Sequence, residues 1–135
     1  MDLSTKVKSS GVIFNGSTGL FNILIIQVIN NNPTKNRSVQ VQVFNWENNT
    51  PVAVAVGSLN GPNNTPGGGG PIEIQEGTGA LFLAGLNGLS QYEVRVTYFN
   101  STEDVLVTSQ GFNLATGNLI GQTVLDRDFR RIDVD

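Results

Sequence analysis

The sequence predicts an all-β protein in which two antiparallel sheets pack as a sandwich with extended N- and C-terminal segments. The 24 Val and Ile residues fall in short runs that alternate apolar and polar positions, which is the two-residue period of a strand. Clusters of Gly, Asn and Pro separate these runs at intervals of about 10 to 15 residues, as in all-β domains. No run has helical periodicity and no repeat of fixed length occurs.

The first three strands are predicted at about 6–14, 20–29 and 37–46. An Asn-Gly turn at 15–16 ends the first strand, and the polar loop 30–36 separates the second from the third. The second strand is apolar on both faces, so we expect it in the middle of a sheet, covered on both sides or in contact with another subunit. The third alternates Val with Gln.

Five further strands are predicted after Pro51, at about 52–56, 72–74, 78–84, 91–99 and 104–110. The segment 59–71 holds three Pro and five Gly and is predicted to be a long connection rather than a domain linker. In the strand 91–99, two Tyr and two Val share one face, whereas Glu93, Arg95 and Thr97 share the other.

The segment 86–96 (LNGLSQYEVRV) resembles the E–F corner of fibronectin type III and immunoglobulin-like domains. The resemblance implies that Leu89 and Tyr92 are structural, with the Tyr92 hydroxyl bonding back to the chain a few residues upstream. Trp46 is also interpreted as structural, although it ends its strand and the Cys pair of those domains is missing. The sandwich is therefore predicted to be immunoglobulin-like or a jelly roll.

The termini are predicted to lie outside the sandwich proper. Residues 1–10 form an N-terminal arm, 11–113 the sandwich and 114–135 a C-terminal extension that holds seven of the 19 charged residues within its last ten positions. Either arm could complete the sheet edge of a neighbouring subunit. The candidate inserted residues are Val7, Val12, Ile13 and Phe14 at one end and Phe129, Ile132 and Val134 at the other.

The composition excludes several classes of function. Without Cys or His there is no disulfide, thiolate nucleophile, zinc finger or Ser-His-Asp triad. Eight Lys and Arg with a net charge of -3 argue against nucleic-acid binding, and no apolar run is long enough to span a membrane. No leader sequence is recognisable. We expect no catalytic residue, no cofactor and no metal site.

Other candidate chemistry has a simpler interpretation. The acidic residues in turns and in the tail show no pairing across a cleft, and the Asp126–Asp128 pair lacks the glycine turn of a calcium loop. The glycine run 67–70 lacks the Lys-Ser/Thr of a phosphate loop. Trp46, Tyr98 and Phe99 are the nearest approach to a sugar-stacking platform.

The function predicted from these features is structural. Charged residues make up only 14% of the chain, and a surface with little charge repels its own copies weakly. In composition the chain resembles small bacterial spore-surface and appendage subunits. We expect a subunit that assembles with copies of itself, and with an anchoring surface protein, into an extracellular layer, fibre or appendage on a cell or spore surface. The alternative is a monomeric carbohydrate-binding or adhesive module.

Overall fold

The computed structural model describes residues 5–16, 20–58, 65–66, 71–99, 101–113 and 119–133. These residues form eleven strands and one short 3-10 helix at Asp126–Asp128, with no α-helix among them. The strands are β1 (Lys6–Phe14), β2 (Ile23–Asn30), β3 (Arg37–Asn45), β4 (Val52–Ser58), β5 (Thr65–Pro66), β6 (Ile72–Ile74), β7 (Thr78–Gly85), β8 (Gln91–Tyr98), β9 (Val105–Asn113), β10 (Leu119–Val124) and β11 (Arg130–Ile132).

The strands form a curled antiparallel sheet, a half-barrel. Neighbours follow the order β10-β9-β2-β7-β4-β3-β8-β1-β11, with β5 beside β4 and β6 beside β3. Residues 52–54 of β4 pair with β3 and residues 56–58 pair with β7. The all-β prediction is confirmed, but β4 makes the pairing continuous where two separate sheets were predicted.

Four of the strand pairs are nested within one another. β1 pairs with β8, β2 with β7, β3 with β6 and β4 with β5. The chain up to β8 is therefore a long hairpin whose two arms curl together. The last strands extend this unit at both ends, because β9 and β10 add beside β2 while β11 adds beside β1.

The core lies inside the curl, where alternate residues of each long strand point inward. The inward side chains of β2, β3 and β8 are almost completely buried, as the two-residue period predicts: Leu24, Ile26, Val28, Val39, Val41, Val43, Tyr92, Val94, Val96 and Tyr98. Phe21 is seated between two glycines. A Cβ at Gly111 would lie 2.9 Å from its Cγ, and one at Gly121 would lie 2.7 Å from its Cζ.

The two end strands of the sheet have features that oppose pairing with another chain. β11 has three residues, two of them arginines. In β10 the register with β9 shifts between Gly121 and Val124, and Gln122 has a positive φ of 52°. Short length, charge and bulges are the usual means by which proteins protect exposed sheet edges.

The predicted strands are found with modest differences in their ends. The second strand begins at Ile23, not at residue 20, and the last predicted strand continues to Asn113. The C-terminal extension also forms strands β10 and β11, whose pairing partners β9 and β1 lie in the same chain. Within the described part of the chain, no helix is long and apolar enough to cross a membrane.

Candidate functional site

The candidate inserted residues near the N-terminus, Val7, Val12, Ile13 and Phe14, lie on β1, which pairs with β8 and β11 of its own chain. Val7 is half-buried, opposite both Ile132 and Thr97. Ile13 packs against the core, whereas Val12 and Phe14 are 52% and 66% exposed. The segment Lys6–Phe14 is thus an integral strand, and only its second half presents apolar side chains to solvent.

The C-terminal candidates are also placed by contacts within the chain. Phe129 is buried and belongs to the core, and Ile132 is half-buried in β11. Val134 lies outside the described residues. The two sets of candidates meet at the β1–β11 pair, where Val7 faces Ile132.

Charge divides the sheet into two halves. The strands β10, β9, β2, β7, β4 and β5 contain no Asp, Glu, Lys or Arg. Among the described strands, every charged residue lies in β1, β3, β6, β8 or β11. One half of the sheet therefore has neither the charge repulsion nor the strongly hydrated groups that keep protein surfaces apart.

The outward side of β9, β2 and β7 is an apolar surface, here called the apolar face. Its members are Ile23, Ile25, Gln27, Ile29, Gly79, Leu81, Leu83, Gly85, Leu106, Thr108, Gln110 and Phe112, four outward positions from each strand. Leu106, Leu83 and Ile29 are 46%, 39% and 37% exposed. The two-sided apolar character predicted for residues 20–29 is confirmed, because the alternate residues of β2 line the core.

A shallow groove of about 370 Å³ adjoins the apolar face beside β4. The exposed Leu83 side chain of the apolar face is among the residues that line it. The lining residues are Ile23, Val54, Ala55, Leu83, Ala84, Gly85 and Asn87. The apolar surface therefore continues across a fourth strand.

The other half of the sheet carries a buried polar cluster on its outward side, centred on Glu93 of β8. Its carboxylate accepts hydrogen bonds from Trp46 Nε1 at 2.7 Å, Ser9 Oγ at 2.5 Å and Arg95 Nε at 2.9 Å. The Arg95 guanidinium lies 4.6 Å from the ring centroid of Phe44. The cluster connects β1 and the end of β3 to β8. The Arg95 guanidinium is fixed in orientation because it lies between a carboxylate and an aromatic ring.

The electrostatics of the cluster favour the ionised carboxylate. Burial alone would raise the pKa of Glu93, but the hydrogen bonds from Arg95, Ser9 and Trp46 outweigh it and hold that pKa below its ordinary value. In contrast, burial raises the pKa of the Tyr92 and Tyr98 hydroxyls, with Asp126 adding to the effect at Tyr98.

The residues of the predicted E–F corner, Leu89 and Tyr92, make contacts that differ from those the resemblance implies. The Tyr92 hydroxyl donates to Gln122 Oε1 at 2.7 Å, and Gln122 lies on β10, downstream rather than a few residues upstream. Leu89 packs against the core. A residue that the sequence did not single out, Asn15, takes part in these contacts, because its buried amide bonds to the backbone of Phe21 and Leu89. The Asn-Gly signal placed a turn there without revealing these long-range contacts.

The other candidates for binding chemistry are dispersed or internal. Tyr98 is 1% exposed and faces the core, so it forms no platform with Trp46 and Phe99. Asp126 and Asp128 accept hydrogen bonds from the backbone of Val107 and Leu125. Among the described residues no group of three acidic side chains is placed to hold a metal ion. The glycine run 67–70 lies outside the described residues.

Comparison with known proteins supports the fold and assigns no function. No protein-family model matches the chain, and no curated protein matches it. A solved structure titled "Crystal Structure of Thermotoga maritima 1070" is similar with a TM-score of 0.51 at 12% identity, covering 89% of this chain and 90% of that chain. At this identity the likeness concerns the fold, and it extends over nearly the whole of both chains.

Proposed function

We propose that the protein is a non-catalytic structural subunit that assembles with copies of itself through the apolar face. The observation that carries this proposal is the absence of charge from all six strands of one half of the sheet. An outward face with exposed Leu and Ile and no charge is compatible with a second copy of the same face, since no charge is left unpaired when the two meet.

The size of the apolar face indicates how strong each contact is. With strands about 4.8 Å apart and a rise of about 3.4 Å per residue, three to four strands present roughly 300–500 Å². A stable dimer buries about 800 Å² on each partner. Each contact is therefore weak alone, and the assembly depends on high local concentration or on further contacts made by the same subunit.

The edges of the sheet favour association through its faces rather than the strand complementation that was predicted from the termini. Both terminal strands already pair within the chain, and the two end strands are protected by charge or by a bulge. Strand exchange stays a prediction. Only three residue pairs join the described parts of β11 and β1, and the same pairs could form between two chains.

The division of the strands into two facing sheets is part of the same proposal. We infer an eight-stranded jelly roll with two facing sheets, because the strand neighbours include the partial orders β1-β8-β3-β6 and β2-β7-β4-β5 that such a fold would have. The second order holds most of the uncharged strands. In this arrangement one sheet is the assembly sheet and the other presents the polar cluster.

The proposed assembled form is a layer, fibre or appendage on a cell or spore surface. The compositional resemblance to small spore-surface and appendage subunits suggests this setting. A non-catalytic role is supported by the lack of Cys and His in the chain and by the use of the Glu93 carboxylate in internal hydrogen bonds.

Sedimentation velocity over a wide concentration range tests the proposal. We expect the wild-type protein to shift from its 14.4 kDa monomer to larger species as concentration rises. The variants Leu83→Lys and Leu106→Lys should each move this shift to at least tenfold higher concentration, because the assembled face would have to bury an unpaired ammonium group.

The matched control is Leu125→Lys, because Leu125 is as exposed as Leu83 but lies outside the apolar face. This variant should associate like the wild type. A wild-type protein that stays monomeric up to millimolar concentration would contradict the proposal, and so would three variants that all behave alike.

A further inference from the structure

The outward side of the charged half of the sheet carries an ordered row of polar side chains. Arg130 of β11 lies opposite Ser9 of β1, Ser9 lies opposite Arg95 of β8, and Arg95 lies opposite Gln42 of β3. Directly opposed side chains in a sheet have Cβ atoms about 4.5–5.5 Å apart. The row therefore crosses four strands with regularly spaced polar groups.

A cavity of about 350 Å³ opens at the β11 end of this row. It is lined by Ser9, Ser10, Gly11, Asp128, Arg130 and Ile132. The register between β1 and β8 shifts between Ser9 and Val12, and Gly11 has a φ of 76° with no atom within 4 Å of the position of a Cβ. This bulge leaves room for a ligand, and the volume falls within the range of about 300–1,000 Å³ typical of small-molecule sites.

The fold positions the hydrogen-bonding groups of the row, but some of their donors and acceptors have no partner among the described residues. Arg95 uses Nε for Glu93, and its terminal nitrogens make no hydrogen bond within the described part of the chain. The exposed Arg130 guanidinium makes none there either. One oxygen of Asp128 accepts from Leu125, which leaves the other as an acceptor beside Arg130. Donors and an acceptor thus line one cavity, with the apolar Ile132 among them.

The charges of the site select the class of ligand. The charged residues that line the cavity are Asp128 and Arg130, whose formal charges cancel, and the Glu93 carboxylate that Ser9 contacts is already paired with Arg95. An anion would gain no net Coulombic attraction, whereas a neutral ligand with many hydroxyl groups could use the donors and the acceptor together. From this juxtaposition we propose that the cavity between the β1 bulge and β11 binds a neutral saccharide.

Each group has a role in this site. Arg130 donates to ligand hydroxyl groups and Asp128 accepts from them, while Ile132 contacts the apolar C–H surface of a sugar ring. Arg95 extends the site along the row towards Gln42. Ser9 connects the cavity to Glu93 and through it to Trp46, the one tryptophan of the chain. Occupation of the cavity should therefore change the fluorescence of Trp46.

Titration of the full chain with defined probes tests this inference by Trp46 fluorescence and calorimetry. The probes are the hexaoses of cellulose, chitin, starch and mannan, with inorganic phosphate as the anionic comparison. We expect saturable binding of at least one hexaose. Arg130→Gln should weaken that binding about tenfold through the loss of a charged hydrogen bond.

The control is Arg131→Gln, the same change at the neighbouring exposed residue, which lies opposite Lys8 on the other side of the sheet. It should bind the hexaose like the wild type. The inference is overturned if no hexaose binds, if phosphate alone binds, or if the two variants lose affinity equally. Since this site lies away from the apolar face, Leu83→Lys should bind saccharide normally, which separates this test from that of self-assembly.

Discussion

At the scale of single residues, the Glu93 carboxylate links several strands in the polar half of the sheet. Its two oxygens take three donors from β1, β8 and the residue after β3. The side chain is 6% exposed and that of its ion-pair partner Arg95 is 19% exposed, so solvent screens the pair only partly. We expect this carboxylate to hold three strands in register.

The pKa of Glu93 gives this role a pH dependence. Because the folded pKa is lowered, the ionised form is favoured by folding, and the stabilisation is complete above the unfolded pKa of about 4.3 and lost as pH falls through the folded value. Glu93→Gln should lower the free energy of unfolding by about 2 kcal/mol at pH 7, and the difference from wild type should narrow below about pH 4. Urea denaturation between pH 3 and pH 7 measures both quantities.

The control for this variant is Glu73→Gln, the same change at an exposed position of β6. It should stay within about 0.5 kcal/mol of wild type at every pH. If Glu93→Gln follows the wild type as closely as the control does, the carboxylate is not the link between these strands.

The sequence shows some of this residue-scale organisation but not its long-range contacts. The alternation in strand 91–99 correctly placed Glu93 and Arg95 on one face, opposite the core-facing Tyr and Val residues. It could not show that Trp46 and Ser9 meet the same carboxylate, because those contacts depend on the pairing of strands distant in sequence. The same reason explains why Asn15 looked like an ordinary turn residue.

Among the elements, the pairing of β1 with β11 distinguishes pairing within one chain from strand exchange between chains. Val7 and Ile132 are paired across these strands, at a separation that suits a disulfide, and the chain has no cysteine of its own. The variant Val7→Cys/Ile132→Cys should form an internal disulfide and remain a single chain on a non-reducing gel, because β11 pairs with the β1 of its own chain.

The matching control for this pair is Val12→Cys/Ile132→Cys, which places the first cysteine beyond the bulge in β1. It should not form the internal bond. Disulfide-linked ladders from Val7→Cys/Ile132→Cys in dilute protein would show that β11 pairs with a neighbouring subunit, in favour of strand exchange.

The strands were predictable largely because their signals are local. Alternation and turn residues located the eight predicted strands, including the three-residue β6. Residues 114–135 were harder, because their strands depend on partners at distant positions: β10 adds beside β9 and β11 adds beside β1 at the other end of the chain. The continuous pairing through β4 could not be predicted either, because the two ends of this one strand pair with different strands, β3 and β7.

For the whole molecule, the two outward surfaces of the sheet have opposite character. One lies on six strands that contain no charged residue, whereas the other lies on the described strands that hold the charged residues and carries the Glu93 cluster and the cavity beside Arg130. This division matches the two proposed roles, association with copies on one side and binding of saccharide on the other. The sequence predicted the unusual two-sided strand β2, but only the register of β7 and β9 shows how far its apolar face extends.

The most direct test of self-assembly is crosslinking through single cysteines placed at the centre of each outward surface. Gln27→Cys lies in the middle of the apolar face on β2, and Gln42→Cys lies in the polar row on β3. Treatment with a short bis-maleimide should join Gln27→Cys chains into covalent dimers at a concentration where Gln42→Cys remains monomeric. Dimers from Gln42→Cys alone, or from neither variant at the highest soluble concentration, would contradict assembly through the apolar face.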